Sequence, residues 1–215
     1  MTIVFPRWMP TVGSNGLQFE PEPVDYLSPE AGGRIGAVAA GFPVWTMKIA
    51  LGNMTFDDAD VWRAWLAVQR GGRRRFIAFD IDRQVPRFHR HGRPYNPKPT
   101  AWSQAINADD LAIVSLGGLL PGQTVAIGDY VGLVWDGEKR ALTRAVETAR
   151  AGAAGTLSVA CEPPIPPTVP AGAAVTLRRA GCLMRLISGE TKLGEQGLGY
   201  FTGGSTIAAV QEFVA

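Results

Sequence analysis

Histidine is almost absent from this 215-residue chain, which has only His89 and His91. They stand at i, i+2 among Arg87, Arg90 and Arg93, where a cationic field opposes a metal ion. With so little histidine, Ser-His and Cys-His hydrolase arrangements lack a base, and no G-x-S-x-G is present. Cysteine is as scarce. Cys161 and Cys182 fit a reduced, cytosolic setting, although both fall in expected β segments and a cross-strand pairing stays geometrically open. Long hydrophobic runs are missing too. The longest mostly apolar stretch, 36–45, is far below the ~20 residues of a membrane span, so no insertion is expected. The opening Met-Thr-Ile-Val-Phe-Pro-Arg is too short and Pro-interrupted for a secretory leader.

Other chemistry is also thin. There is no G-K-[ST] phosphate loop, and the glycines of 197–203 are one residue out of step with the dinucleotide fingerprint. Asp57, Asp58 and Asp60 read as helix-starting residues, and Asp109-Asp110 as a turn, more simply than as catalytic pairs. The expectation is a protein without catalysis, cofactor or metal.

Glycine and proline, by contrast, number 26 and 16. That is well above the ~12% of average usage and marks a turn-rich, β-rich fold. The formal charge of +2 hides two poles. From Arg63 to Lys98 ten bases face only Asp80 and Asp82, a balance of +8, while the rest of the chain stands at −6. Such poles suit contact with a polyanion or with a complementary subunit.

The expected organisation is one domain over 1–215. Residues 1–42, broken by Pro6, Pro10, Pro21, Pro23 and Pro29, read as an extended arm. Alternation over 43–51 places Trp45, Met47, Ile49 and Leu51 on one strand face. A helix is predicted over 55–70, capped by Thr55 and ended by Gly71-Gly72. Its two apolar stripes exceed what one core face needs, so they fit either a deeply buried helix or a helix that meets a second subunit. After a strand over 73–81, residues 83–105 read as a long basic loop in which His89 and His91 are solvated. Everything from 111 to 188 reads as strands, with a hairpin at Asp136-Gly137, and a last strand follows a Gly-rich loop over 194–204.

Phe88, Tyr95 and Trp102 are interleaved with the arginines, which permits base stacking beside phosphate contact. A nucleic-acid-binding module is therefore one reading of the basic segment. A basic face paired with a neighbour's acidic face explains both poles and is preferred.

Several stretches then resemble a family in order and spacing. They begin with Ser28-Pro29-Glu30-x-Gly32-Gly33-Arg34-x-Gly36, Trp45 in a strand, and Arg70-Gly71-Gly72-x-x-x-Phe76. Pro121-Gly122-Gln123, Ile127-Gly128-Asp129-Tyr130-Val131, the strand over 143–146 and Ala154-Gly155-Thr156 follow. Cys161-Glu162-Pro163-Pro164, Gly172-Ala173 and Cys182-Leu183-Met184-Arg185-Leu186 complete the series. Together they resemble the distal tail proteins of long, non-contractile-tailed phages and prophages.

That resemblance implies a mainly β (α+β) fold, a tail-tube-like β-sandwich or split barrel with one flanking helix and long arms. It implies a virion protein, assembled in the bacterial cytoplasm, that forms a homohexameric ring at the tail tip. The partners it implies are the tail tube protein and the tail hub, with DNA passing transiently through the channel. Larger members carry an appended carbohydrate-binding domain; none is expected after Ala215. Heterologous ring contacts need two different patches on one chain. On that ground Trp62, Trp65, Arg73, Arg74, Arg75, Arg87, Arg90, Tyr95 and Trp102 are the expected interface residues.

Overall fold

The computed structural model describes residues 4–29, 35–195 and 204–213. In chain order these form β1 (Arg7–Trp8), β2 (Ser14–Glu22), β3 (Asp25–Pro29), β4 (Ile35–Ala39) and β5 (Val44–Leu51). The helix α1 (Phe56–Gln69) precedes β6 (Phe76–Phe79), β7 (Ala101–Ile106), β8 (Ala112–Gly117) and β9 (Thr124–Val125). Then come β10 (Tyr130–Trp135), β11 (Lys139–Ala145), β12 (Ala149–Arg150), β13 (Leu157–Glu162), β14 (Ala174–Thr176), β15 (Gly181–Leu186) and β16 (Ser205–Gln211). The fold is mainly β with one α-helix among the described residues, as the sequence leads one to expect.

Two six-stranded sheets dominate. The first has the order β1-β6-β15-β16-β5-β2 and the second β14-β10-β11-β13-β8-β7. The edge strands of the second sheet, β7 and β14, also touch, so it curls toward a split barrel. Val114, Leu116, Val131, Leu133, Val159 and Val175 fill its interior. The first sheet has its own core, in which Trp45, Met47, Ile49 and Leu51 of β5 pack with Trp62 and Trp65 of α1. The alternation read from 43–51 is thus the buried face of β5.

The two halves meet at an aromatic joint. Phe19 stacks on Trp45 with centroids 5.2 Å apart, and the Tyr130 ring stands edge-on to both. Trp45 Nε1 donates to the Leu142 carbonyl of β11 at 2.9 Å, so a side chain of the first sheet satisfies a backbone acceptor of the second.

Helix α1 starts as its sequence dictates. Thr55 Oγ1 accepts from the Asp58 amide, and Asp57 and Asp58 occupy the first turn, where the macrodipole favours them. Its stop comes one residue earlier than the glycines, at Arg70, whose φ of 52° is left-handed. Gly72 has a different reason to be glycine: a Cβ there would lie 2.7 Å from the Leu186 carbonyl oxygen.

The first 42 residues are not a free arm. β2 pairs along β5, with Leu17 opposite Ile49 and Phe19 opposite Met47. Proline forbids a helix but not an edge strand, and Pro21 sits in β2 at the sheet edge. Within this segment the β3–β4 hairpin forms a two-stranded sheet apart, as β9 and β12 do further along the chain, and it keeps the character of an arm. The basic loop is also shorter than expected, because residues 101–106 pair with β8 as β7. The Asp136-Gly137 hairpin is present, with a three-residue loop: Trp135 pairs with Lys139, and Asp136 and Gly137 have positive φ. Cys161 and Cys182 are free thiols on different sheets, so the open question of their pairing is answered against a disulfide. The expected Gly-rich loop lies largely outside the described residues, as do the glycines of 197–203.

Candidate interface

The residues expected at an interface divide into four environments. Trp62 and Trp65 are 0% and 2% exposed, so the interface expectation fails for both. Trp65 stands edge-on to Phe76 at 4.8 Å and to Trp62 at 5.7 Å. Their indole N–H groups donate to the carbonyls of Val12 and Trp8, closing the N-terminal segment over the helix. Both tryptophans therefore pack against the chain's own N-terminal segment. Val61 remains outside at 47% exposure.

Arg73, Arg74 and Arg75 gather beside Phe5, Glu138 and Arg185. Arg74 donates to the Val68 carbonyl at 3.1 Å and lies over the Phe5 ring. Arg75 pairs with Glu138 at 3.2 Å. Arg185 donates to the carbonyls of Gly72 and Arg73 and pairs with Glu212. No basic residue lies in the last turn of α1, and these arginines supply the positive charge its carbonyl end favours. Of the triplet, Arg73 is the exposed member without such a contact.

Arg87 and Arg90 lie at the other end of β10. They line a cleft of about 570 Å³ with Arg83, Arg144, Tyr130 and Asp80. The loop carrying them is pinned rather than loose. Asp129, buried under it, accepts from the Arg87 amide through Oδ1 and from the Ala126 amide through Oδ2, both at 2.8 Å. Burial raises the Asp129 carboxyl above its ordinary pKa, and these two amides, with Arg83 and Arg90, pull it back. Arg83 donates to the Gly128 carbonyl at 2.8 Å, and Arg144 bridges to Glu20 at 2.6 Å. The side chains of Arg87 and Arg90 form no ion pair among the described residues.

His89, expected to be solvated, is buried, and its Nε2 accepts from the Thr124 amide at 3.3 Å. Its ring lies 5.2 Å from that of Tyr95. Tyr95 and Trp102 are half-buried against the barrel interior. Gln123 binds the same loop twice, accepting from the Asn96 amide and donating to the Asn96 carbonyl. Sequence reasoning missed Gln123, Asp129 and Asp80 as anchors. Only Asp129 had a signal, the Gly128-Asp129 turn.

The basic segment is therefore not one patch. Its two parts lie at opposite ends of β10, whose six residues span about 20 Å. Among the described residues no group of His, Cys, Asp and Glu is placed to hold a metal, and no helix is long and apolar enough to cross a membrane. No family model matches the chain, and no curated protein matches it in sequence.

Proposed function

We propose that the protein is a structural subunit of a phage tail tip, of the distal tail kind. Copies of it form a ring that joins the tail tube to the tip hub, and DNA passes through the opening. The reading rests on the ordered run of motifs from Ser28 to Ile187. The mainly β fold with one flanking helix supports it. So do the exposed side chains of Arg87 and Arg90 on a chain whose remaining segments are net acidic, since opposite charges on separate patches orient head-to-tail contacts.

The test is particle mass and electron microscopy of the purified full chain. Six-fold rings with a central opening are expected. A monomer that binds DNA with a steep salt slope would overturn the reading in favour of a nucleic-acid-binding module.

A further inference from the structure

One surface on this chain protrudes and another recedes, and they match in chemistry. The β3–β4 hairpin pairs with itself, Tyr26 opposite Val38 and Leu27 opposite Ala37. Its apolar side chains bury little: Tyr26, Leu27 and Val38 are 74%, 68% and 64% exposed. A two-stranded hairpin is marginal in water, and exposed apolar groups of this size mark a contact surface. The stretch leading into it carries Glu20, Glu22 and Asp25 and no base.

The receding surface is a groove of about 300 Å³ lined by Phe42, Trp135, Pro166, Pro167 and Phe213 with Arg140. It lies where the β10–β11 hairpin meets the proline-rich turn after β13. The Arg140 guanidinium lies 5.1 Å from the Trp8 ring centroid, and its Nε is buried without a hydrogen-bond partner. Burial also lowers its pKa. Arg140 lines the groove and forms no ion pair among the described residues, so a carboxylate is the group that complements it best.

We propose that the groove receives the β3–β4 hairpin of a second copy of this chain. Leu27 lies on the Trp135–Pro167 surface, and Asp25, on the same face of β3, faces Arg140. The protrusion and the recess are different patches, so each copy offers both to its neighbours. This head-to-tail contact closes into a ring or runs on as a filament. The proposal rests on the reading of the protein as a self-assembling subunit and names the surfaces that would join.

The test uses two single-cysteine additions to the full chain, Leu27→Cys and Thr168→Cys. Cys161 and Cys182 are buried and do not compete. Mixed and oxidised, the two variants should give a disulfide-linked dimer that neither gives alone. No dimer from the mixture, or a link that forms only within one chain carrying both changes, would overturn the proposal. A second variant, Tyr26→Asp with Leu27→Asp, changes exposed side chains and should keep its Tm while self-association weakens at least tenfold. Rings that survive in this variant would remove the hairpin contact and leave the ring reading standing. Wild-type protein that stays monomeric at every concentration would overturn both.

Discussion

Tyr130 of β10 donates its hydroxyl to Asp80 Oδ2, at the end of β6, across 3.0 Å. The bond ties the barrel to the first sheet beside the Trp45 joint. Asp80 Oδ1 meanwhile accepts from the amides of Asp82 and Arg83, so one carboxylate also starts the basic loop. Glu20 and Arg144 bridge the two halves next to it. Removing the hydroxyl leaves Asp80 short of one donor. Tyr130→Phe should therefore lose about 1–3 kcal/mol, the cost of removing one hydrogen bond to a charged acceptor. Urea unfolding would measure it. Wild-type stability would mean that the aromatic packing, the Trp45–Leu142 bond and the Glu20–Arg144 bridge hold the joint without it.

The arginine triplet makes a sharper prediction than its charge alone would. Reversing all three charges would place a glutamate opposite Glu138 and remove the Arg74 contact to the Val68 carbonyl. Arg74→Glu with Arg75→Glu should cost about 1–2 kcal/mol, from a lost helix-end cation and a like-charge pair. Arg73→Glu should stay within about 0.5 kcal/mol, as exposed substitutions do. Thermal unfolding separates the two. Only Arg73→Glu can then report on assembly, because its effect on self-association is not confounded with folding.

What the sequence disclosed follows from range. The β5 alternation, the Thr55 cap and the Asp136-Gly137 hairpin are set by neighbours a few residues away, and each could be read directly. The partner of Arg75 is 63 residues distant, and Trp62 donates to a carbonyl 50 residues back. No local pattern carries such information, so the second apolar face of α1 fitted a buried helix and a subunit contact equally, and an intramolecular pair looked like free charge. The same holds for Trp102. It sits in a loop by composition and in a strand by its pairing with Leu116. The prolines misled differently: they exclude helix, but an edge strand absorbs them as readily as an arm does.

The thiols give a pH prediction whose sign is fixed. Burial pushes the Cys161 thiol up to about 12 from its ordinary 9.0, and it pushes Cys182 in the same direction. Tyr130 is raised as well, by burial first and by Asp80 next. The folded chain thus keeps protons that the unfolded chain releases above pH 9, so stability falls as pH rises from 9 toward 12. Urea midpoints should drop between about pH 8 and about pH 11, and Cys161→Ala should flatten the fall. Alkylation checks the same burial independently. At about pH 8 neither thiol should react in the folded protein, and both should react once it is unfolded. A midpoint that rises with alkali, or a thiol modified at the rate of a free cysteine, would contradict the placement of these side chains in the two cores.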